Sequence, residues 1–416
     1  MPSQTGFFRH QHDLVCDGVP LAAIAAAEGT PVYVYSAALL RERYRAIEEA
    51  FGGYPHAIHY ALKANSTLAI ARLLRELGSA ADANSIWEIE VARRAGFPAA
   101  DIVFTGVGKS PAELECAVSL GVKAVNIESA GELARVEAIA TRLGKIARVA
   151  VRVNPDIDAK SHPHISTGLK INKFGLPLDH ATALFDTMRT RPALKLVAVH
   201  LHVGSQITSL EPLRHSAAAA SELSATLLAE GFPLEYVDVG GGLGIAYDER
   251  RPPAIEEYIS AVVAEVRRTK LPIVVEPGRA VAGPAGVLVA RVTDLKPRGA
   301  DGEFAIVDAG MTELIRPALY NAYHRIEPVA PREADERLYE IAGPVCESSD
   351  VLGRDRRLAQ LQVGDLVAVR DAGAYGAVMA SNYNRRPLPP EVLVDAGSWR
   401  VIRRRQTIDD QLSLES

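Results

Sequence analysis

Two textures of hydrophobic and polar residues divide the chain. Between residues 56 and 278, short β-type runs recur, each followed by a helix-length stretch rich in Ala, Leu, Glu and Arg. The runs are HAIHYAL (56–62), SAADA (79–83), DIVFTG (101–106), VKAVNI (122–127), ARVAVRV (147–153), LKLVAVHLHV (194–203), LEYVDVGGG (234–242) and LPIVVEPG (271–278). Stretches between them, such as SIWEIEVARRAG and SAGELARVEAIATRLG, carry the period of amphipathic helices. Strands alternating with helices imply a parallel sheet. Eight such units in roughly 240 residues predict a (β/α)8 TIM barrel, for which about 250 residues is typical.

After about residue 282 the long helical patterns stop. The runs AGVLVARVTDL, GEFAIVDAG, RLYEIAG, GDLVAVRDAGAYG and EVLVDAGSWRVI are short, Val-rich and separated by Gly, Pro or Asp turns, the pattern of a mostly antiparallel β domain. FFRHQHDLV and PVYVYS, within residues 7–35, are strand-like pieces that could complete that domain. The expected partition is a barrel over 36–281 and a β domain built from 1–35 and 282–416. The tail RRRQTIDDQLSLES has a solvated composition, with Arg403–Arg405 expected at an exposed strand end.

Bulk properties narrow the function classes. A chain of 416 residues suggests two domains. Its 48% hydrophobic and 23% charged residues are ordinary for a soluble protein. A formal charge of −5 gives no electrostatic case for nucleic acid or an anionic membrane. The start, MPSQTGFFRHQH, lacks the basic and apolar regions of a signal peptide, and no apolar run reaches the ~18 residues of a membrane span. Three scattered cysteines, Cys16, Cys116 and Cys346, argue against a disulfide framework, so a reducing, cytoplasmic setting is expected.

In a barrel the chemistry lies at the C-terminal ends of the strands. Polar and glycine residues collect there repeatedly: Lys63; Asp82, Asn84 and Ser85; GVGKS; Arg152 and Asn154; His200, His202, Gly204 and Ser205; Gly240–Gly242; Glu276, Gly278 and Arg279. Lys63 ends an apolar strand, where it is either a snorkelling rim residue or a desolvated amine suited to a Schiff base. The glycine triplet 240–242 would let backbone N–H groups approach a phosphate, or simply make a tight turn. It is not a dinucleotide fingerprint, since Ile245 stands where the last glycine is needed. GVGKS (106–110) is not a P-loop, because Val103 occupies the first glycine position. His200 and His202, two apart on one strand, could share a metal with Glu276 and Asp82; alternatively, one imidazole stacks on an aromatic cofactor. In EPGR (276–279) a carboxylate could face a pyridine nitrogen and keep it protonated, while Arg279 neutralises a phosphate or a substrate carboxylate. Together, a lysine, a phosphate loop, a stacking histidine and a ring-facing carboxylate describe a pyridoxal 5'-phosphate (PLP) site better than a metal site.

The motifs YALKAN (60–65), HPHISTGLKINKFG (162–175), HLHVGSQI (200–207), VDVGGGLGI (237–245), EPGR (276–279), RPALY (316–320), GPVCESSD (343–350) and DAGAYG (371–376) follow one another in the order found in a known family. The chain resembles the alanine-racemase-like, fold type III PLP decarboxylases. The resemblance implies that Lys63 carries the cofactor and His202 stacks on its ring. It also implies that Ser205, Gly241, Gly242 and the 276–279 turn, including Gly278 and Arg279, hold the phosphate, while Glu276 faces the ring nitrogen. Arg279, Arg316 and Tyr320 would bind substrate carboxylate, and Tyr375 both phosphate and substrate. Cys346 would be the proton donor and Glu347 would read a distal ammonium, both reaching into the site of the other subunit of a homodimer. CESSD and Arg316 point to decarboxylation of meso-2,6-diaminopimelate to L-lysine. Ornithine, arginine or carboxynorspermidine decarboxylation is the neighbouring alternative; a racemase or an inactive PLP-binding relative is further away. One departure stands out: Ile86 and Trp87 replace small residues after the second strand, in Asp82-Ala-Asn-Ser-Ile-Trp-Glu88. This substitution is expected to repack the barrel mouth and bears on any role for Asn84 or Ser85.

Overall fold

The computed structural model describes residues 4–157, 173–299 and 302–415. It divides into two compact units, one of residues 43–245 and 251–280, the other of residues 1–42, 246–250 and 281–416.

The first unit contains the predicted barrel. Its strands are His56–Ala61, Ala80–Ala83, Ile102–Phe104, Ala124–Ile127, Ala147–Asn154, Leu194–His200, Tyr236–Asp238 and Ile273–Val275, here strands 1 to 8. Every neighbouring pair is parallel, strand 8 pairs with strand 1, and strand 4 pairs with strand 5, which closes the ring. Val103, Ala124, Ala150, Val197, Ala198, Tyr236 and Val274 pack together in one buried cluster. Helices follow strands 1 to 7, from Leu68–Glu76 to Ile255–Val266. Local sequence explains several of their ends. Ser85, Ser110 and Ser129 each accept a hydrogen bond from the N–H of the glutamate three residues on, the N-cap arrangement that satisfies an otherwise orphaned donor. After strand 8 only the one-turn helix Arg279–Ala282 forms.

The second unit is sheet. In spatial order its strands are Val351–Ala359, Glu336–Ala342, Glu303–Val307, Gly286–Pro297, Val32–Ser36, Glu391–Asp395 and Ser398–Arg403; Leu366–Val369 pairs with Gly286–Pro297 and Ile326–Pro328. Most pairings are antiparallel. The parallel exceptions are Glu303–Val307 with Glu336–Ala342, and Val32–Ser36 with Glu391–Asp395. PVYVYS thus supplies an interior strand, buried along its length. Phe7–His10, Asp13–Cys16 and Val19–Pro20 form a small antiparallel sheet of their own.

One strand was not anticipated, and one expectation changes. Val351–Ala359 had no strand signature, because Arg354, Asp355 and Arg357 break its apolar pattern; it is an edge strand, where charge is tolerated. The arginine triplet is not simply solvated. Arg403 Nε pairs with the fully buried Glu391 Oε1 at 2.9 Å, and Arg405 Nη2 donates to Glu28 O and Pro31 O. The segment 162–175 lies outside the described residues except for Lys173–Gly175. Among the described residues, no helix is long and apolar enough to cross a membrane, and all three cysteines are free thiols.

Candidate active site

The C-terminal ends of strands 1, 2, 6, 7 and 8 bring together most of the predicted barrel residues. Lys63 sits in a short 3-10 turn after strand 1, its side chain one-third exposed, with Nζ 3.6 Å from Oδ2 of fully buried Asp82. It therefore has a buried counterion and an opening to solvent. Glu276, two percent exposed at its side chain, lies next to His200, whose Nε2 is 3.2 Å from Glu276 Oε2. The other oxygen, Oε1, is buried without a hydrogen-bond partner. Burial alone would raise Glu276, but His200, Lys63 and His202 more than offset it and hold the carboxyl well below its usual range. Glu276 is therefore an anion. Asp82 moves the other way, raised by burial and by Glu276, with Lys63 opposing.

The two histidines have separate tasks. Strand 6 ends at His200, so the alternation that would put both rings on one face does not extend to His202. His202 Nδ1 meets the N–H of Gly241 at 3.1 Å, which fixes it as an acceptor and leaves the proton on Nε2. Burial, then Lys63 and Arg152, push His202 well below the ordinary histidine range, so the ring is neutral. This divides the proposed pair of histidine metal ligands between two different partners. The glycine loop is tightly built: a Cβ on Gly241 would collide with the carbonyl oxygen of Glu276, and one on Gly242 would lie 2.6 Å from Gly204 O. Gly278 packs on Ala61 and Ala64, so a Cβ there would lie 2.8 Å from Ala64 Cβ. Arg279 is buried and its Nη2 donates to Ser205 Oγ at 2.9 Å. Ser205, Arg279 and the glycine loop thus stand together at the ends of strands 6 to 8.

Asn84 and Ser85 have structural work. Ser85 caps the helix Ile86–Ala95, and Glu88 Oε2 accepts from the N–H of Asn84 at 2.6 Å. Trp87 is 78% exposed on that helix, so it does not fill the barrel mouth as expected from its position after strand 2. GVGKS supplies Lys109, buried and bonded to Gly106 O, Asn126 O and Glu132 Oε1 at 2.6, 2.8 and 3.0 Å. That lysine staples strand ends; it is not a phosphate binder.

The remaining predicted residues belong to the sheet unit. Arg316 opens the helix Arg316–Tyr320, is buried, lies 4.6 Å from the Tyr247 ring centroid, and its Nη1 is 2.8 Å from His324 Nε2. Tyr320 closes the same helix, half-buried. Cys346 and Glu347 are exposed on the loop after Glu336–Ala342, and Asn384 Oδ1 accepts from the N–H of Cys346 at 3.0 Å. Tyr375, half-buried, has φ 56°, a left-handed conformation that non-glycine residues adopt at a cost.

A family model described as "Pyridoxal-dependent decarboxylase, pyridoxal binding domain" matches residues 37–283. The chain is 45% identical to the diaminopimelate decarboxylase of Vibrio cholerae, over 99% of both chains. The chain belongs to the diaminopimelate decarboxylase family. It is similar to the crystal structure of the Helicobacter pylori diaminopimelate decarboxylase complexed with L-lysine, with a TM-score of 0.92 and 40% identity over 95% of this chain and 99% of that one. The M. jannaschii diaminopimelate decarboxylase in co-complex with L-lysine gives a TM-score of 0.94 at 35% identity, over 100% and 99% of the two chains.

Membership of this family makes the chain a PLP-dependent decarboxylase, and the barrel mouth suits that cofactor. A protonated pyridine nitrogen needs a buried anion with acceptor capacity, which Glu276 has at Oε1. The glycine loop itself is packed on the end of strand 8, since a Cβ on Gly241 would collide with the Glu276 carbonyl. Sequence reasoning gave no role to three further buried residues. Asp238 sits fully buried at the end of strand 7; its signal was a carboxylate inside the apolar run VDVGGG. His59, fully buried on strand 1, is held neutral by burial. Asp350, the buried last residue of CESSD, accepts at Oδ2 from the N–H of Val345 at 2.7 Å.

Proposed function

We propose that this chain catalyses PLP-dependent decarboxylation of meso-2,6-diaminopimelate to L-lysine and carbon dioxide. The observation that carries the reaction class is the pairing of Lys63 with buried Asp82 close to anionic Glu276. Full-length similarity to diaminopimelate decarboxylases supports the substrate.

When bound, PLP supplies an electron sink for the pair left at Cα as carbon dioxide departs. Lys63 is the residue that would hold it covalently, with Asp82 keeping a counterion at Nζ. Glu276 maintains a negative charge opposite the ring nitrogen, and neutral His202 offers a flat, uncharged ring for stacking. Ser205, Gly241, Gly242, Gly278 and Arg279 receive the phosphate. In the sheet unit, Arg316 and Tyr320 bind the distal carboxylate and Glu347 the distal ammonium. Cys346 returns a proton to Cα, and Tyr375 contacts phosphate and substrate. A site built to satisfy both distal charges rejects ornithine, whose far end is only an amine, because its polar groups would be left unpaired.

We further propose a homodimer in which Cys346 and Glu347 serve the partner's barrel; exposure of both on a loop fits that arrangement. Three free thiols suit a cytoplasmic setting. The test is carbon dioxide release by purified protein with PLP and a panel of amino acids. Release from meso-diaminopimelate, abolished by Lys63→Ala, supports the reading; release from ornithine or arginine alone overturns it. Mixing inactive Lys63→Ala and Cys346→Ala proteins should recover activity if sites are shared, and should recover none if each site belongs to one chain.

A further inference from the structure

Behind Glu276 the barrel carries a second carboxyl that the proposed chemistry does not use. Asp238 ends strand 7, is fully buried, and its Oδ1 accepts from the N–H of Gly240 at 2.9 Å. Its Oδ2 is buried without a hydrogen-bond partner. Ligand-capable atoms of His200, Asp238 and Glu276 all lie within 4.8 Å of one another, and none of the three residues has appreciable solvent access. Two carboxylates this close and this dry cannot both be ionised, so one must take a proton and become a donor to the other.

The surroundings decide which. Glu276 faces His200, Lys63 and His202. Asp238 faces Glu276, Asp82, Tyr236 and Tyr258; His200 also lies within reach, but its Nε2 is engaged with Glu276 Oε2, and the N–H of Gly240 is the hydrogen bond that favours the Asp238 anion. His59, also buried toward Glu276, is neutral and adds no cation. The proton therefore belongs on Asp238. We propose that Asp238 is a positioning residue which, as a neutral acid, hydrogen-bonds to Glu276 and leaves Glu276 as the single anion opposite the cofactor's ring nitrogen. A carboxylate has about four acceptor positions, so Glu276 can serve Asp238, His200 and a ring N–H together. The direction of the shifts agrees: burial, then Glu276, raise Asp238 well above the carboxylate range, while Glu276 is lowered. The inference rests on the proposed ring-facing role of Glu276.

The test uses full-length protein loaded with PLP. The infrared difference spectrum between the parent and Asp238→Asn at neutral pH should contain the C=O stretch of one protonated carboxyl, present in the parent only. Asp238→Leu should lower kcat for diaminopimelate roughly 10–100-fold with little change in KM and a shifted visible absorbance of the bound cofactor, as for other residues that act through a ligand-holding group. Asp238→Asn, which keeps the shape and can donate to Glu276, should restore most of both. A spectrum in which Asp238→Asn removes no protonated-carboxyl band overturns the inference. So does an Asp238→Asn enzyme as impaired as Asp238→Leu, or zinc binding by the protein that Asp238→Asn abolishes. Failure of the parent to release carbon dioxide from diaminopimelate would sink the functional reading instead, and the infrared band would still report on Asp238. If Asp238→Leu does not fold, the isosteric Asp238→Asn and its spectrum decide the matter alone.

Discussion

Replacing Asp350 by alanine should cost both stability and turnover, because this carboxylate is the internal anchor of the loop that carries Cys346. Its Oδ1 accepts from the N–H of Met311 at 2.5 Å and its Oδ2 from the N–H of Val345 at 2.7 Å. Its backbone closes the loop at both ends, through Gly343 N–H to Asp350 O and Asp350 N–H to Glu347 O, at 2.9 and 3.1 Å. Gly310 and Gly343 lie so close that a Cβ on either would collide with the carboxylate, so the group fills its own slot. Alanine removes the acceptor from two backbone donors. At about 1–3 kcal/mol for each donor left unsatisfied, the loss is about 2–6 kcal/mol. For a unit of this size that corresponds to a fall in Tm of roughly 4–24 °C. Asp350→Asn should lie between, since an amide keeps one acceptor and turns a donor toward the other N–H. Urea or thermal unfolding of the parent, Asp350→Ala, Asp350→Asn and the exposed control Ser349→Ala measures the series, with kcat followed below the new Tm. If Asp350→Ala loses under about 1 kcal/mol, less than one unsatisfied donor, the anchoring argument is wrong. If it is destabilised but turns over normally, the loop is held without being needed for proton return.

Three further outcomes follow from the barrel. Lys109→Met leaves Glu132 buried without its cation and should cost roughly 3–5 kcal/mol, while Lys109→Met with Glu132→Leu should recover part of it; denaturant midpoints of the two variants measure the difference. Gly241→Ala must move the Glu276 carbonyl, and roughly 1–3 kcal/mol of overpacking should weaken PLP binding about tenfold or more, read from cofactor fluorescence titration. His59 is pushed down by burial, and by Lys123, from an ordinary 6.5 to about 3, so the folded protein refuses a proton that the unfolded chain accepts. The stability this gives is complete above pH 6.5 and is lost as pH falls toward 3. His59→Leu should flatten that part of the urea-melt profile between pH 7.5 and 5, and an unchanged slope would refute the assignment.

What the sequence disclosed, and what it concealed, follows from the range of the interactions concerned. Eight strands and their helices were legible because period-two and period-3.6 patterns are local, and because serine caps and αL glycines such as Gly96 and Gly121 mark helix ends within a few residues. The positions of Lys63, His202, Gly241 and Glu276 were legible for a related reason: each is a polar or glycine residue at the end of an apolar run, and barrel topology alone then sends them to one face. A partner is harder to read than a position. The pattern H-x-H suggested a shared face for His200 and His202, yet the strand stops at the first, and only the fold reveals that one ring holds Glu276 and the other Gly241. Lys109 carried the look of a phosphate loop, and Arg403 that of a solvated tail. Both are explained by carboxylates, Glu132 and Glu391, that no spacing rule connects to them. Asp350 and the strand Val351–Ala359 were hidden by their charge, since a carboxylate that solvates backbone N–H groups looks like any loop acid until its donors are found. Asp238 is the extreme case. Its place inside VDVGGG is that of a strand residue, and only the proximity of Glu276 turns it from a costly buried acid into a means of deciding where the active site keeps its negative charge.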